Sequence, residues 1–423
     1  MNNSIKAVRG MVEILPDAIG PIQHLEKIWR EVIAQYAYQE MRLPIIEFTA
    51  LFKRSIGEAT DIVEKEMFTL NDRDNTSLCL RPEGTAGCVR AMVEHGLTYN
   101  QTQKVWYLGP MFRYERPQKG RFRQFTQIGV ESFGFKGPDA EIEQLALAYR
   151  FWKALNIESA LQLQINSLGD KETRLNYRQA IVEYFSQYLE QLDEDCKRRL
   201  HTNPLRILDS KNVHLEAIIN AAPKLIDYLD ENARHEFQAL QDALNALQIP
   251  YVINTRLVRG LDYYNGIVYE WVTTALGAQG AVCAGGRFDG LCAEVGGHDT
   301  KATGFAMGVE RLLLLQEALQ LHPSATPPQI VIISKEKNPQ SQALLILVAE
   351  KCRSLFPEYG VFMGNFAASI KSQLKQADKI GATWALIVGE SEATARGVSI
   401  KFLRESRPDT QCALSDMQVS MFN

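Results

Sequence analysis

Apolar residues at Ile22, Leu25, Ile28, Trp29, Val32, Ile33 and Tyr36 recur at the spacing of one helical face. The pattern predicts an amphipathic helix over residues 22–38. The run Leu43-Pro44-Ile45-Ile46 reads as a strand, but Pro44 has no N–H for a central ladder, so an edge or an interface is expected. Residues 78–83 read as a strand and Thr85 to Glu94 as a helix. Residues 104–135 alternate strand and turn, with Pro117-x-x-Gly120 as the turn of a hairpin. A helix over Asp139–Leu155 and a strand over Leu161–Asn166 follow.

From about Lys171 to Leu247 the pattern changes to helices with polar connections, as in an insertion within the first domain. Strand patterns return at Val252–Arg256, Gly266–Thr273 and the glycine-dense stretch 277–290, and a helix over Glu310–Leu319 closes the domain. His322-Pro323-Ser324-Ala325-Thr326-Pro327-Pro328 has the composition of a linker. Beyond it, Gln329–Ser334 and Trp384–Val388 are short apolar runs suited to buried parallel strands, separated by helices. That predicts a compact α/β domain of about a hundred residues.

Composition narrows the class. Apolar residues make up 46% of the 423, enough for a proper core. Lys and Arg number 46 against 50 Asp and Glu, so charge gives no global bias toward nucleic acid. The cysteines at 79, 88, 196, 283, 292, 352 and 412 form no CxxC pair, which disfavours a zinc site or a disulfide framework and fits a reducing cytosol. The N-terminal Met1-Asn2-Asn3-Ser4 is polar with no apolar segment after it, and the longest apolar run, Ala343 to Ala349, is too short to span a bilayer. A soluble, cytoplasmic protein without membrane association is expected.

Against this acidic background, five cations stand between Arg113 and Arg123 with one acid, Glu115. Guanidinium groups concentrated in this way suit a dedicated anion site. Gln127, Gly129 and Glu131 share one strand face while Ile128 and Val130 share the other. The polar face forms either a small ligand pocket with Gly129 as an open floor, or a solvated sheet face. Arg81-Pro82-Glu83-Gly84-Thr85 joins a strand to a helix. Glu83 could hold an ammonium group and Thr85 could cap the helix, or both are turn residues. Arg259-Gly260-Leu261-Asp262-Tyr263-Tyr264 suits recognition of a flat polar ligand and a phosphate, or is a tyrosine-rich strand edge. Gly285-Gly286-Arg287-Phe288-Asp289-Gly290 lacks the spacing of a phosphate loop, so its glycines let backbone approach a ligand or bend a strand. Glu310-Arg311 opens an apolar helix as an anion contact or a solvated end. Lys371, Lys375 and Lys379 form a basic stripe, either a wet helix face or an RNA contact. The seven histidines show no ligand spacing, and no metal is assigned to protein clusters.

The order of these segments is informative where each alone is not. Phe112-Arg113-Tyr114-Glu115 resembles the second signature of class II aminoacyl-tRNA synthetases, and Gly304-Phe305-Ala306-Met307-Gly308-Val309-Glu310-Arg311 the third. The helix ending near Tyr38, followed by Pro44, is similar to the weak first signature. Arg259–Tyr264 and Gly285–Gly290 resemble the two segments peculiar to the histidyl-tRNA synthetase family, and the resemblance covers essentially the whole chain.

That resemblance implies an α+β fold: an antiparallel sheet flanked by helices, with a helical insertion at about residues 171–248 and a catalytic domain over residues 1–325. Residues 326–423 would form a C-terminal α/β anticodon-binding domain. It implies ATP-dependent, AMP-forming ligation of L-histidine to tRNA(His) by a homodimer, with Mg²⁺ accompanying ATP. Carried over position by position, Glu83 and Thr85 would bind the histidine α-amino end. Gln127, Glu131 and Tyr264 would surround the imidazole, with Tyr263 nearby. Arg113 would hold the α-phosphate and Arg311 the γ-phosphate, with Glu115 also at ATP. Arg259 would act near the histidine carboxylate and the α-phosphate. Arg116, Gln118, Lys119, Arg121 and Arg123 would meet the tRNA acceptor end. Phe288 departs from the family's usual tyrosine, losing a hydroxyl but keeping the ring. The alternative is a non-catalytic, histidine-sensing regulatory paralogue of histidine biosynthesis. Such paralogues generally lack the anticodon domain and erode the ATP arginines, whereas here residues 329–423 and Arg113, Arg259 and Arg311 are all present.

Overall fold

The computed structural model describes residues 5–57, 60, 62–208, 210, 212–277, 280–321, 329–336 and 339–422. The expected linker, His322–Pro328, and the polar start, Met1–Ser4, lie outside them. The chain divides into two compact units, Met1–Pro323 and Ser324–Asn423.

The first unit opens with α1 (Pro16–Gln35), which starts earlier than periodicity suggested because Pro16 is tolerated at the first helical turn. Its buried stripe Leu25, Trp29, Val32 and Ile33 enters the main core. Next come β1 (Gln39–Glu40), β2 (Ile46–Phe48), α2 (Thr49–Ile56), β3 (Thr69–Asn71), β4 (Ser77–Leu80) and α3 (Thr85–Glu94). The strand expected over Leu43–Ile46 begins only at Ile46. The carbonyls of Leu43 and Pro44 instead accept from Arg81 Nη1 at 2.7 and 3.1 Å. Arg81 and Pro82 also lie beyond β4, so the strand expected over 78–83 is shorter. Strands β2, β4 and β3 form a small separate antiparallel sheet.

Two ten-residue strands, β5 (Gln103–Phe112) and β6 (Gln124–Phe133), pair antiparallel along their whole length, with Tyr107 opposite Gly129 and Val105 opposite Glu131. The basic segment between them closes through a Gln118–Arg121 bridge. Then follow α4 (Asp139–Ala154) and β7 (Gln162–Ser167). The insertion carries α5 (Lys171–Ser186), α6 (Glu194–Thr202), α7 (Glu216–Asn220) and α8 (Glu231–Ala246). Asp170, Asp193 and Asp230 cap α5, α6 and α8 by accepting from the N–H three residues on.

The chain returns through β8 (Tyr251–Ile253), β9 (Asn265–Val272), β10 (Ala281–Arg287), α9 (Leu291–Glu294), β11 (Ala302–Gly308) and α10 (Val309–Ala318). β8 stops before the expected Arg256 because the Asn254 side chain accepts the Arg256 N–H at 3.0 Å and turns the chain. The sheet runs β1-β5-β6-β11-β10-β9-β7-β8, parallel at its two outer pairs and antiparallel between. Strand β11 was not foreseen. Its alternation is of size: Gly304, Ala306 and Gly308 share the face opposite Thr303, Phe305 and Met307.

The second unit holds β12 (Gln329–Ser334), α11 (Pro339–Leu355), β13 (Gly360–Met363), α12 (Ile370–Lys379), β14 (Ala382–Val388), α13 (Glu390–Thr394), β15 (Gly397–Phe402) and β16 (Thr410–Ala413). Strands β13, β12 and β14 pair in parallel, and β15 and β16 extend the sheet antiparallel. Ile330, Ile332, Leu386 and Val388 fill its core, and Lys371, Lys375 and Lys379 are exposed along α12.

A buried ion pair joins α4 to β10. Arg287 Nη2 donates to Glu141 Oε2 at 2.7 Å, and Arg287 Nη1 to Asp289 Oδ1 at 3.1 Å. Glu141 is fully buried. Removing one partner of such a pair strands the other charge. Arg287→Met should lower stability in urea unfolding by about 3–5 kcal/mol, and adding Glu141→Gln should recover part of it. A loss below about 1 kcal/mol would mean that the pair behaves like a surface one.

Candidate active site

The first turn of α3 is capped from the preceding residue pair. Glu83 Oε2 accepts the Thr85 N–H and Oε1 the Ala86 N–H, both at 2.8 Å. Glu83, not Thr85, therefore caps the helix. The Thr85 hydroxyl instead donates to Glu131 Oε1 at 2.8 Å, and the Tyr107 hydroxyl donates to the same oxygen at 3.1 Å. A carboxylate at a helix N-terminus is favoured by the helix dipole, but burial dominates and raises the Glu83 pKa.

Tyr107 also corrects the expectation for Gly129. Its ring occupies the space over Gly129 and beside Gly84, and a Cβ at either glycine would run into it. The floor is filled, not open. Glu131 is likewise set deeper than its strand face suggested: it is fully buried, and Thr85 and Gln127, not Glu131, line the cavity.

That cavity, of about 200 Å³, opens over the sheet face of β6, β10 and β11. Glu83, Thr85, Gln127, Tyr263 and Tyr264 line it together with Arg113, Arg121, Arg259 and Arg311. Arg113, just after β5, donates from Nε to the Pro82 carbonyl at 2.9 Å and lies over the Phe125 ring. Arg311, at the start of α10, donates to the Ala281 carbonyl at 2.7 Å. Burial pulls the Arg311 pKa down, with Arg121 and Arg113 adding like-charge repulsion. Arg259 pairs with Glu270 at 3.4 Å and lies over the Tyr264 ring at 5.6 Å. Burial opposes its charge, but Glu270 and the two tyrosines outweigh it and its pKa rises. Burial pushes the Tyr264 phenol up to about 12, keeping its proton.

Glu310 is no solvated helix end. Its Oε1 accepts the Thr126 N–H at 2.7 Å and its buried Oε2 has no hydrogen-bond partner. Glu115 lies in the cavity wall, 3.2 Å from Arg121. Of the basic tip, Arg116, Gln118 and Lys119 are exposed, Arg121 turns toward the cavity, and Arg123 folds back over the Tyr114 ring at 3.7 Å. Phe288 is buried edge-on against Tyr263 and Tyr264. Gly285 and Gly286 belong to β10, where the register shifts, so they serve strand packing. Among the described residues no cluster of His, Cys, Asp and Glu could hold a metal ion, and no helix is long and apolar enough to cross a membrane.

Sequence reasoning missed Glu270, Tyr107 and Arg81. Glu270 is the lone charge in the otherwise uncharged strand β9, which is a readable signal. Tyr107 and Arg81 carried none, because their roles depend on cross-strand neighbours.

An antiparallel sheet flanked by helices, bearing an arginine-lined cavity between the two signature segments, defines a class II aminoacyl-tRNA synthetase. The profile of the histidyl-tRNA synthetase family matches residues 10–312. Apo histidyl-tRNA synthetase of S. aureus is 31% identical, aligned over 97% of this chain and 98% of that one, with a TM-score of 0.81. The chain belongs to the histidyl-tRNA synthetase family. Two more distant structures share the fold. Histidyl-tRNA synthetase from Nostoc sp. PCC 7120 is 18% identical over 99% of both chains, with a TM-score of 0.69. A Bacillus halodurans protein described as an ATP phosphoribosyltransferase regulatory subunit/histidyl-tRNA synthetase is 21% identical over 91% of this chain and 98% of that one, with a TM-score of 0.65.

Glu131 gives the site a pH signature. Burial raises its pKa well above the ordinary 4.5, and Glu83 adds to the rise. The folded state then holds a proton that the unfolded chain releases, so stability falls as pH rises above about 4.5 toward the raised value. Glu131→Gln removes this contribution. Thermal melts from about pH 5 to about pH 9 should show a smaller decline for Glu131→Gln than for the wild type. Parallel profiles would mean that Glu131 is ionised in the fold at its ordinary pKa.

Proposed function

We propose that this chain is a histidine–tRNA ligase. It activates L-histidine with ATP to histidyl-adenylate, releases pyrophosphate, and transfers histidine to the 3′ end of tRNA(His). The observation that carries this reading is one cavity with Glu83, Thr85, Gln127 and Tyr264 in its wall beside Arg113, Arg259 and Arg311. The Glu83 carboxylate suits an ammonium group, and the guanidiniums suit phosphates.

In the activation step a histidine carboxylate oxygen bonds to the α-phosphorus of ATP while the bond to the pyrophosphate oxygen breaks. No protein nucleophile is required. Negative charge gathers on the phosphoryl oxygens, and fixed arginines stabilise it. Arg113 and Arg259 would act at the α-phosphate and Arg311 at the γ-phosphate. Glu83 and Thr85 would hold the α-amino end. Gln127 and Tyr264 would meet the imidazole, with Tyr263 behind. Glu131 would act through Thr85 or directly after local adjustment. A site of hydrogen-bonding groups rejects apolar amino acids because those groups would be left unpaired. Mg²⁺ enters with ATP as substrate. Glu310 Oε2, buried in the cavity wall without a hydrogen-bond partner, is an acceptor in reach of such a substrate complex.

The exposed tip residues Arg116, Gln118 and Lys119, with Arg121 and Arg123, would contact the acceptor end of tRNA(His). Residues 326–423 would be the anticodon-binding domain of a cytoplasmic homodimer. Exposed Ile46, Phe48 and Leu70 on the small sheet suit a subunit interface.

ATP–pyrophosphate exchange, run with each amino acid in turn and no tRNA, tests the reading. Exchange with histidine alone is expected. Folded protein that binds histidine yet exchanges with no amino acid would point to a regulatory subunit. Arg259→Ala should lower the exchange rate by about 10²-fold or more and weaken histidine binding far less. Equal losses in both would remove Arg259 from the transition state.

A further inference from the structure

The loop carrying Arg259, Tyr263 and Tyr264 is held from the helical insertion. Arg174 of α5 donates from Nη1 to the Tyr264 carbonyl at 2.9 Å. Asn203, just after α6, donates to Asp262 Oδ1 at 3.0 Å. On another side the Asp262 N–H donates to the Ile56 carbonyl at 3.2 Å. The packing follows the same connection. Tyr263 and Tyr264 share one apolar cluster with Tyr177, Ile181 and Phe185 of α5.

Arg174 is itself fixed. Its Nε donates to the Asp170 carbonyl at 3.3 Å, and Asp170 caps α5. The acids Asp170, Glu294 and Asp262 surround its charge. The guanidinium is thus a rigid prong from a capped helix end to one backbone oxygen.

Arg259 and Tyr264 belong to one loop but have separate anchors. Arg259 pairs with Glu270 on β9, and Tyr264 is tied to α5. Releasing Arg174 would untie the Tyr264 carbonyl and loosen the backbone that sets its ring, while Arg259 keeps Glu270.

We propose that Arg174 is a positioning residue for amino-acid binding: from the insertion it fixes Tyr264, and so sets the amino-acid side of the cavity relative to the phosphate side. This rests on the reading of the cavity as a histidine-activating site. A purely structural role would lower the active fraction, and hence kcat, without changing KM for one substrate. A positioning role changes KM for histidine and spares KM for ATP.

The test is steady-state ATP–pyrophosphate exchange on full-length wild type, Arg174→Ala, Arg174→Lys and Arg178→Ala. Arg174→Ala should raise KM for histidine on the order of tenfold and change KM for ATP less than about twofold. Arg174→Lys, keeping a charge and one donor, should fall between it and wild type. Arg178 is exposed one turn along α5, and Arg178→Ala should match wild type. Should Arg174→Ala fail to fold, the rise with Arg174→Lys carries the test. A fall in kcat alone, or equal changes in both KM values, would overturn the proposal. If wild type showed no exchange, the activation reading would fail. Equilibrium histidine binding to the same variants would still decide the tie: weaker binding by Arg174→Ala supports it, and unchanged binding overturns it.

Discussion

Four arginines are gathered in the wall of one cavity, and the surrounding structure has to hold them there. Glu83 and Glu131 lie close enough that Glu83 adds to the raised pKa of Glu131. Burial presses the Arg311 pKa down, and Arg121 and Arg113 add to it. Repulsion of this kind is strongest where water is scarce. Rigid elements resist it. Arg81 ties β5 to the segment before β2 through the Pro110, Leu43 and Pro44 carbonyls, and Glu83 is fixed by two N–H groups of α3. A polyanionic ligand near the arginines would relieve the repulsion among them. The electrostatics of the proposed reaction therefore follow from how the site is built as well as from which residues it contains.

Glycines make this packing possible through their lack of a side chain. Gly84 and Gly129 leave room for the Tyr107 ring, and Gly304 leaves room for the Glu131 carboxylate. None of the three has a positive φ, so their value is close approach and not an unusual backbone shape. The same requirement explains the small residues of β11, where Gly304, Ala306 and Gly308 stand opposite Glu131, Gly129 and Gln127 of β6, and of β10 beside it. Three strands are thus thinned on one side to form the wall, while Ile128, Val130, Phe305 and Met307 fill the core on the other.

Much of this was legible from residue order. The period-two alternation of β6 separates the polar Gln127 and Glu131 from the apolar Ile128 and Val130, and the structure keeps that division. The arginines of the signature segments also meet in one cavity although they are distant in sequence. What periodicity could not supply was depth. Glu131 and Gln127 share a face, but Tyr107 from the neighbouring strand fills the gap and leaves only Gln127 at the wall. Nor could local sequence assign the cap of α3, since Thr85 is drawn away by Glu131, forty-six positions along. Strand β11 escaped notice because its alternation is of small against large residues, not polar against apolar. In each case a partner from another segment decided the outcome.

The ion pairs divide by length in a way that matches their surroundings. Arg287 meets Glu141 at 2.7 Å, with a second acid at 3.1 Å, and its capacity for hydrogen bonds is largely used within the protein. In the cavity, Arg121 stands 3.2 Å from Glu115, Arg259 stands 3.4 Å from Glu270 and Arg113 stands 3.9 Å from Glu115. Contact between guanidinium and carboxylate favours about 2.7–2.9 Å, so these pairs are loose. A loose pair still lowers the energy of a buried cation and limits where it can go. A tight pair would have to be broken before an anion could bind, at the expense of stranding a buried carboxylate. Loose acids beside the cavity arginines therefore give orientation without saturation, which is the condition under which a fixed guanidinium can respond to charge as it forms on a transferring phosphoryl group.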